Sequence, residues 1–479
     1  MSAADIRARL PHPVVDVDGH MIEYFPALSG YLRKEGVDPS SPTMRRLVPG
    51  AFGPTVEWHS LTPGERARRR VTRPPWWGSP ARNTRDLATA MFPALLHERL
   101  PELGIDFSVV YPSVGLVYLH LEDERERRAT CRALNRYNAD AFADFRDRLC
   151  AVAAIPMVTP DEAIDELEHA VGELGFRAVV MNGFVQRPAE AFADAHPDLA
   201  RWGMWLDTYG VDSAYDYDPV WRRCVELRVN PTFHSGSQGW GARRSVTNFV
   251  YNHTGHFAAA GEATCKSLFL GGVTKRFPGL RFAFLEGGVA WGCSLYADLL
   301  AHWEKRNRRA MDALDPSRLD RKELVRLFRE YGEPAQVARI QDLVDGASVR
   351  GDQLDDDYSL DEFAACGIER AEDVRDRFVP SFYFGCEADD PLNAWAFDAR
   401  SNPFGARLHA IFGSDIGHWD VRDVSEVVEE AWELVEHGLI SKDDFRAFTF
   451  ENSARFWTTQ NPDFFAGTSV ESAVRSALA

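Results

Sequence analysis

Four short apolar segments of the sequence are each followed at once by a histidine or a carboxylate and by glycine. The stretches that follow them read DVDGHMIE (16–23), HSG (234–236), EGG (286–288) and GSDIGHWD (413–420). Imidazole nitrogens and carboxylate oxygens are ligands of first-row metal ions, and glycine lets a backbone or a substrate approach closely. Asp18 and His20 are two residues apart, so an extended strand would point both side chains to one side, where they could hold one ion.

Each of these residues also has a simpler interpretation when it is taken alone. An isolated Asp-x-His pattern such as Asp18 and His20 arises often by chance. His234 could be a core histidine, and Asp415 could cap the helix that follows it, because Asp is favoured at that position. The order and spacing of all four segments together favour the metal site.

The elements that must position these residues alternate between short strands and longer helices. Helical patterns separate eight candidate strands, and this alternation predicts a parallel sheet covered by helices, with a closed (β/α)8 TIM barrel favoured over an open sheet. The helical patterns include Glu122–Asp147, Pro160–Leu174, Cys265–Phe277 and Ser425–His437. Barrel enzymes carry their catalytic groups at the C-terminal ends of the strands. The predicted strands are Val14–Asp18, Phe107–Tyr111, Ala151–Ile155, Ala178–Met181, Pro231–His234, Arg281–Leu285, Ser381–Phe384 and Leu408–Phe412.

Two stretches exceed a minimal barrel, and we interpret both as insertions in a single domain that spans residues 10–465. Residues 35–95 are rich in Pro, Gly, Arg and Trp, including Trp76 and Trp77. They could fold over the barrel mouth as a lid, or form a surface loop or an oligomer contact. Residues 300–375 are dense in charge and are predicted to form a solvated helical face. Residues 466–479 are predicted to be a C-terminal tail.

Composition excludes several classes of protein. The 479 residues carry a net charge of −18, which disfavours both nucleic acid and anionic lipid as partners. Seven cysteines at irregular spacing, with no CxxC pair, support neither a disulfide framework nor a zinc ribbon. Since the sequence has no secretory leader and no run of 18 apolar residues, we expect a cytoplasmic protein. The aromatic content of 12% suggests that the substrate is a small organic molecule with an apolar or bulky group. We also expect a homo-oligomer.

The motifs DVDGH, NPTFHSG, GGVTKRFPGLRFAFLEGG and FGSDIGHWD resemble those of a known family. They are similar to the second branch of the amidohydrolase superfamily, which contains the metal-dependent decarboxylases of aromatic and muconate-type acids. The most distinctive of them combines a helix ending in Arg-Phe-Pro, a strand and a Gly-Gly turn. The resemblance implies a distorted (β/α)8 barrel with a metal ion at the C-terminal mouth.

Roles follow from the resemblance position by position. Asp18 and His20 match the first-strand metal ligands of the family, which are usually His-x-His, so an aspartate replaces a histidine here. His234 matches the fifth-strand ligand and Asp415 the last-strand aspartate. Glu286 stands where many relatives carry a histidine that acts as a base or as a ligand of a second metal. No lysine follows the fourth strand, so a carboxylated lysine cannot bridge two metals.

Further His and carboxylate groups surround the same mouth. His256 follows the fifth strand, His418 lies three residues beyond Asp415, and Glu23 lies three beyond His20. We hypothesise that Glu286, His256 and His418 hold a second ion, although side chains that only orient the first four ligands would give the same pattern. A donor set without thiolate suits iron or manganese as well as zinc.

Three reactions remain open, and Glu286, Asp415 and His256 are the predicted catalytic side chains. The narrowly favoured one is a dinuclear non-haem iron or Fe/Mn monooxygenase that uses O2, because the chain resembles a few long oxygenase members of the superfamily in length, in the Asp-for-His change and in its surplus ligands. The alternatives are a hydrolase, with zinc and a metal-activated water, and a non-oxidative decarboxylase. A non-catalytic subunit of a larger enzyme is the remaining possibility.

Overall fold

The computed structural model describes residues 1–41, 43–44, 58–74, 83–314, 318–344, 361–418 and 421–479. Ten strands lie in these ranges: β1 (Val15–Met21), β2 (Phe107–Pro112), β3 (Leu149–Ile155), β4 (Ala178–Met181), β5 (Val185–Pro188), β6 (Met204–Asp207), β7 (Pro231–Phe233), β8 (Phe282–Phe284), β9 (Phe382–Cys386) and β10 (His409–Phe412). Eight of them form one parallel sheet in the order β1-β2-β3-β4-β7-β8-β9-β10, whereas β5 and β6 form a separate antiparallel pair. The predicted (β/α)8 barrel is confirmed.

The barrel closes between β1 and the chain that follows β10. The Asp415 N–H donates to the Asp18 carbonyl at 2.8 Å, and the His20 N–H donates to the Ile416 carbonyl at 2.7 Å. These two hydrogen bonds, which we call the seam, join the first and last strands through residues predicted to bind metal. The site and the closure of the barrel therefore share the same backbone.

Helices surround the strands and supply the outer wall of the core. Phe282 and Phe284 of β8 point into this wall, where the rings of Trp221 and Trp291 pack edge-on against them, each at 5.5 Å between ring centroids. The α-helices are α1 (Ala3–Arg9), α2 (Phe25–Lys34), α3 (Pro63–Arg69), α4 (Thr84–Met91), α5 (Pro93–Arg99), α6 (Ser113–Tyr118), α7 (Glu124–Ala141), α8 (Pro160–Leu167), α9 (Glu190–Ala195), α10 (Asp218–Glu226), α11 (Phe249–His253), α12 (His256–Leu270), α13 (Val273–Arg276), α14 (Ala290–Arg306), α15 (Arg321–Tyr331), α16 (Pro334–Val337), α17 (Ile340–Val344), α18 (Ala371–Ser381), α19 (Val427–Glu436), α20 (Lys442–Arg446), α21 (Asn452–Gln460) and α22 (Glu471–Leu478). Short 3-10 and π turns add Ala143–Phe145, Glu168–Glu173, Pro197–Trp202, Ala310–Leu314, Pro391–Phe397, Pro403–Gly405 and Ala447–Glu451.

Several helix bounds differ from those that the sequence patterns predict, for local reasons. The pattern over Glu122–Asp147 contains α7, which begins after Asp123 because that side chain accepts a hydrogen bond from the Glu126 N–H at 2.7 Å. The pattern over Cys265–Phe277 starts too late, since α12 already begins at His256. The β5–β6 pair was not predicted, because its alternation is too short to distinguish from a loop.

Residues 58–74, within the stretch 35–95, lie against the chain that follows β7. Trp58 Nε1 donates to the Val246 carbonyl at 3.0 Å, and the Arg73 N–H donates to the Ser245 carbonyl at 2.8 Å. This contact brings the segment to the C-terminal side of the barrel, where a lid would lie. Trp76 and Trp77 fall outside the described residues, and the lid remains a prediction.

The second insertion and the predicted tail are largely helical where the structure describes them. Residues 300–375 contain the end of α14, the short helices α15, α16 and α17, and the start of α18. Residues 466–479, predicted as a tail, contain α22, in which Val474 is buried against the body of the protein. Among the residues described, no helix combines the length and the apolar character needed to cross a membrane.

Candidate metal centre

Four predicted ligands meet at the C-terminal mouth of the barrel. His20 lies in β1, His234 directly follows β7, Glu286 follows β8, and His418 lies in the turn after β10. One ligand atom from each of these side chains lies within 4.8 Å of those of the other three. Neighbouring parallel strands end at the same edge, so residues that are far apart in sequence become one cluster.

Two aspartates complete this cluster. Asp18 Oδ1 lies 3.3 Å from His20 Nε2 and 3.8 Å from His234 Nε2. Asp415 Oδ1 lies 3.4 Å from His20 Nε2 and 2.6 Å from His418 Nδ1. Six of the seven predicted ligands therefore face one small volume.

The rings and carboxylates of the cluster hold one another in place. His20 and His418 stack at 3.7 Å between centroids with 25° between their planes, and His234 meets His20 edge-on at 4.8 Å. Glu286 Oε2 lies 2.8 Å from His234 Nε2 and 3.7 Å from His418 Nδ1. His418 has the most exposed side chain of the six, at 19%, whereas the other five are exposed by at most 4%.

Burial makes the charge balance of the cluster unusual. Burial raises the pKa of Asp18 to about 7, against the opposing effect of His234. Burial would also raise the pKa of Glu286, but His234 and His418 hold it well below its ordinary value. The pKa of His20 is lowered well below its ordinary value by burial and by the neighbouring imidazoles. Ionised carboxylates in a buried cluster are stabilised by positive charge close to them.

A divalent cation fits this donor set. Asp18 Oδ1 and both ring nitrogens of His20 are buried and have no hydrogen-bond partner in the described part of the chain. Buried polar atoms are rarely left in that state, because their desolvation is not compensated. Imidazole nitrogens and carboxylate oxygens that converge without thiolate suit Mn²⁺ and other first-row ions.

The backbone that carries the site is shaped for close approach. A Cβ atom on Gly413 would lie 2.8 Å from the Cβ of Asp18. Such a distance is shorter than normal packing permits, so a residue with a side chain at position 413 would displace Asp18. Glycine therefore allows the turn after β10 to lie directly against β1.

His256 stands apart from the group that the other six predicted ligands form. It is buried, and its ring packs on Phe257 at 3.9 Å and on His253 at 4.3 Å between centroids. The Phe257 ring in turn contacts His234 edge-on at 5.0 Å. Burial lowers the pKa of His256 to about 3, so the imidazole is neutral. A role as a ligand of a second ion or as a catalytic group remains a prediction.

Two other acidic residues of the first segment are buried. Glu23 is buried, and its charge adds to the effect of burial in raising the pKa values of Tyr118 and Tyr137. Asp16, to which the sequence analysis gave no role, is fully buried beneath Asp18 and hydrogen-bonds to residues of three different segments. Its signal in the sequence is the alternation Asp16-x-Asp18-x-His20, which places a third polar residue in an apolar strand.

A (β/α)8 barrel with histidines and carboxylates at its mouth defines the class of metal-dependent barrel enzymes. The Amidohydro_2 (amidohydrolase) family model matches residues 16–361 of the 479 residues. The chain belongs to this family and is an enzyme of the amidohydrolase fold, as the motifs predicted.

The curated relatives with detectable sequence similarity include decarboxylases. The gamma-resorcylate decarboxylase of Polaromonas sp. strain JS666 is 32% identical over 121 residues, which cover 25% of this chain and 36% of the relative. The decarboxylase orsB of Emericella nidulans is 29% identical over 165 residues, which cover 32% of this chain and 42% of the relative. The matches span less than half of the length of either relative.

Solved structures share the fold over nearly the whole chain. A dihydroxybenzoic acid decarboxylase from Polaromonas sp. JS666, solved with manganese and the inhibitor 2-nitroresorcinol, superimposes with a TM-score of 0.51 at 15% identity, covering 95% of this chain and 99% of that one. An amidohydrolase from Mycobacterium avium subsp. paratuberculosis K-10 gives the same TM-score and identity, covering 94% and 100%. At this identity the likeness concerns the fold.

The expectation of a dinuclear iron monooxygenase is wrong. The two curated relatives named above are both decarboxylases, and neither is an oxygenase or a hydrolase. The error lies in the weight given to the surplus ligands, because imidazole and carboxylate donors suit redox-inactive chemistry as well as O2 activation. A divalent metal is supported by the cluster, whereas the expected iron and zinc are not.

Proposed function

We propose that this chain is a metal-dependent, non-oxidative decarboxylase of an aromatic acid, with a hydroxylated benzoate as the substrate class. The observation that carries the metal dependence of the proposal is the buried cluster in which ligand atoms of His20, His234, Glu286 and His418 lie within 4.8 Å of one another. The decarboxylase relatives support it, because they share this family's barrel and act on such acids by name.

Four side chains of the cluster would hold the ion. Asp18, His20, His234 and Asp415 are the proposed ligands, and manganese is the first metal to test because a decarboxylase of the same fold contains it. The ion, when bound, supplies positive charge that orients the carboxylate of the substrate and stabilises negative charge on the ring. The second ion predicted at Glu286, His256 and His418 is not needed for this reaction.

Aromatic rings at the mouth of the barrel suit a flat substrate. Phe257 stands edge-on to His234, and Phe184 meets Trp240 edge-on at 4.8 Å between centroids. Aromatic walls favour a planar ring, which they can contact by edge or by face. These residues follow β4 and β7 and therefore lie on the same side of the barrel as the cluster.

The reaction requires a proton but no oxidant. The bond between the ring carbon and the carboxylate breaks, its electron pair stays on the ring carbon, CO2 leaves, and a proton joins that carbon. We assign proton delivery to His418, because its side chain is the most exposed of the cluster and can be reprotonated from solvent. Asp415 and Glu286 stabilise its imidazolium form, with Asp415 Oδ1 at 2.6 Å and Glu286 Oε2 at 3.7 Å from Nδ1.

The test is release of CO2 from a panel of hydroxybenzoates by protein loaded with Mn²⁺. We expect release at the same rate with and without O2, and one deuterium on the ring carbon when the reaction runs in D2O. His418→Asn should lower kcat by about 10²–10⁴-fold, the range typical of a general acid, while metal content is retained. His437→Asn, a change at an exposed histidine, is the matched control. Protein with bound metal that releases no CO2 from any member of the panel would refute the proposal.

A further inference from the structure

Asp16 is a fully buried carboxylate whose two oxygens accept four hydrogen bonds. Oδ1 accepts from the backbone N–H of Asp18 at 3.1 Å and from that of Ser414 at 2.8 Å. Oδ2 accepts from the hydroxyls of Ser108 at 2.5 Å and Ser414 at 2.8 Å. The carboxylate thus joins β1, β2 and the turn after β10.

The first of these hydrogen bonds lies at an irregularity in β1. Asp16 pairs with Ser108 and Gly19 pairs with Val110, so β1 has one more residue than β2 between these two pairs. Such a bulge leaves a backbone group out of the ladder and changes the direction of the side chains that follow. The Asp16 carboxylate accepts the Asp18 N–H within the bulge, and it thereby fixes the position from which the Asp18 and His20 side chains extend.

The hydrogen bonds to Ser414 act on the other side of the cluster. Ser414 immediately precedes Asp415, whose φ of 49° lies in the left-handed region that a residue with a side chain rarely adopts. Asp16 binds both the N–H and the hydroxyl of Ser414, and the Asp415 N–H donates to the Asp18 carbonyl. These contacts compensate the unfavourable backbone conformation and direct the Asp415 carboxylate towards His20 and His418.

Gly19 leaves room for the Asp16 carboxylate because it has no side chain. A Cβ atom on Gly19 would lie 2.8 Å from Asp16 Oδ2 and 2.8 Å from the Ser108 hydroxyl. Any side chain at position 19 would therefore push these two groups apart.

We propose that Asp16 is a positioning residue of the metal centre, which sets the spacing between Asp18 and His20 on β1 and Asp415 after β10 without contacting the substrate. The inference rests on the proposed metal centre but not on the decarboxylation. Groups that orient metal ligands typically contribute about 10–100-fold to metal affinity. If the carboxylate served only to stabilise the fold, its substitution would change the melting temperature and leave the geometry of the metal site unchanged.

The experiment measures Mn²⁺ affinity by competition with a chelating dye, and the absorption spectrum of the Co²⁺-loaded protein, for four variants. Asp16→Ala should weaken Mn²⁺ binding by about 10–100-fold and alter the Co²⁺ ligand-field bands. Asp16→Asn should weaken it less, because the carboxamide oxygen can still accept both backbone N–H groups while the serine hydroxyls accept from its NH2. Ser414→Ala removes one of the four hydrogen bonds, and its Mn²⁺ affinity should also lie between those of the wild type and Asp16→Ala.

The control is Glu166→Gln, a change at a buried carboxylate in α8 that binds Arg132 at 2.7 Å and Asn135 at 2.8 Å. It should lower the melting temperature and leave both metal readouts unchanged.

Two outcomes would overturn the inference. The first is a folded Asp16→Ala protein with the Mn²⁺ affinity and the Co²⁺ spectrum of the wild type. If Asp16→Ala does not fold, the second is a wild-type Mn²⁺ affinity in both Asp16→Asn and Ser414→Ala. Wild-type protein that binds Mn²⁺ but decarboxylates no hydroxybenzoate would refute the proposed function and leave the positioning role of Asp16 to be decided by the affinities.

Discussion

Two of the cluster's three carboxylates, those of Glu286 and Asp415, lie on backbone that is itself unfavourable, with φ of 56° and 49°. Such a conformation costs a residue with a side chain about 1–3 kcal/mol, and it persists only where the surrounding contacts hold the backbone in place. Glu286 lies two residues after the end of β8 and Asp415 three residues after the end of β10, at turns that must reverse the chain while keeping a carboxylate over the mouth. The strain is therefore located at the residues whose placement the site requires.

The strain at Glu286 can be separated from the loss of its carboxylate. Glu286→Ala and Glu286→Gly both remove the side chain that contacts His234, but glycine adopts positive φ without steric cost. We expect the glycine variant to be more stable than the alanine variant by about 1 kcal/mol, measured by urea unfolding in the presence of a chelator. Equal stability of the two variants would show that the turn is not strained.

At the scale of elements, the turn after β10 is the part of the fold that the site constrains most closely. A Cβ atom at position 413 would meet the Asp18 Cβ at 2.8 Å, although Gly413 itself has an ordinary backbone conformation. A side chain at this position would therefore clash directly with Asp18, which is a proposed ligand.

Gly413→Ala should displace Asp18 and weaken Mn²⁺ binding at least 10-fold, as expected when the geometry of a ligand is disturbed. Overpacking of this kind also costs about 1–3 kcal/mol of stability. Gly172→Ala is the matched control, because a Cβ there meets nothing within 4 Å, and it should leave affinity unchanged. Dye competition and thermal unfolding measure the two effects, and unaltered affinity in Gly413→Ala would contradict the packing argument.

The elements that the sequence predicted well are those with a strong local pattern. All eight barrel strands were recognisable as short apolar runs, and the polar residues at their ends gave six side chains that the structure brings together. The bulge at Asp16–Gly19 was not predictable, because it depends on the register of β1 against β2, which is set by distant residues. The surroundings of His256 were not predictable either. Its position after the fifth strand suggested a ligand, and in the structure Phe257 lies against both its ring and that of His234. Its role as a ligand remains a prediction.

At the scale of the whole molecule, the reaction could not be inferred from the ligand types. Three carboxylates and three imidazoles at one mouth are compatible with hydrolysis, oxygenation and decarboxylation, since the donors determine the metal more than the chemistry. The relatives, and not the donor set, favour decarboxylation. The homo-oligomer and the cytoplasmic location expected from the sequence remain predictions, as do the limits of the two insertions.

Closure of the barrel and binding of the metal should be coupled, because the seam lies at the site. The His20 N–H and the Asp415 N–H form the two seam hydrogen bonds, and both residues are proposed ligands. Without a cation, the buried carboxylates repel one another across this seam. A ligand that binds the folded state alone stabilises it by RT ln(1 + [L]/Kd), which is about 2.7 kcal/mol at 100 times Kd.

We therefore expect chelation to lower the melting temperature and added Mn²⁺ to restore it in proportion to the logarithm of its concentration. The loss should be local, so amide hydrogen exchange should accelerate at His20 and Asp415 in the metal-free protein but not along the β3–β4 ladder, whose residues Val152–Ile155 pair with Ala178–Met181 away from the seam. His234→Ala should remove the response to Mn²⁺ while retaining the circular dichroism spectrum of a folded barrel. Equal exchange at the seam with and without Mn²⁺, in protein shown to bind the ion, would mean that the barrel closes independently of its metal centre.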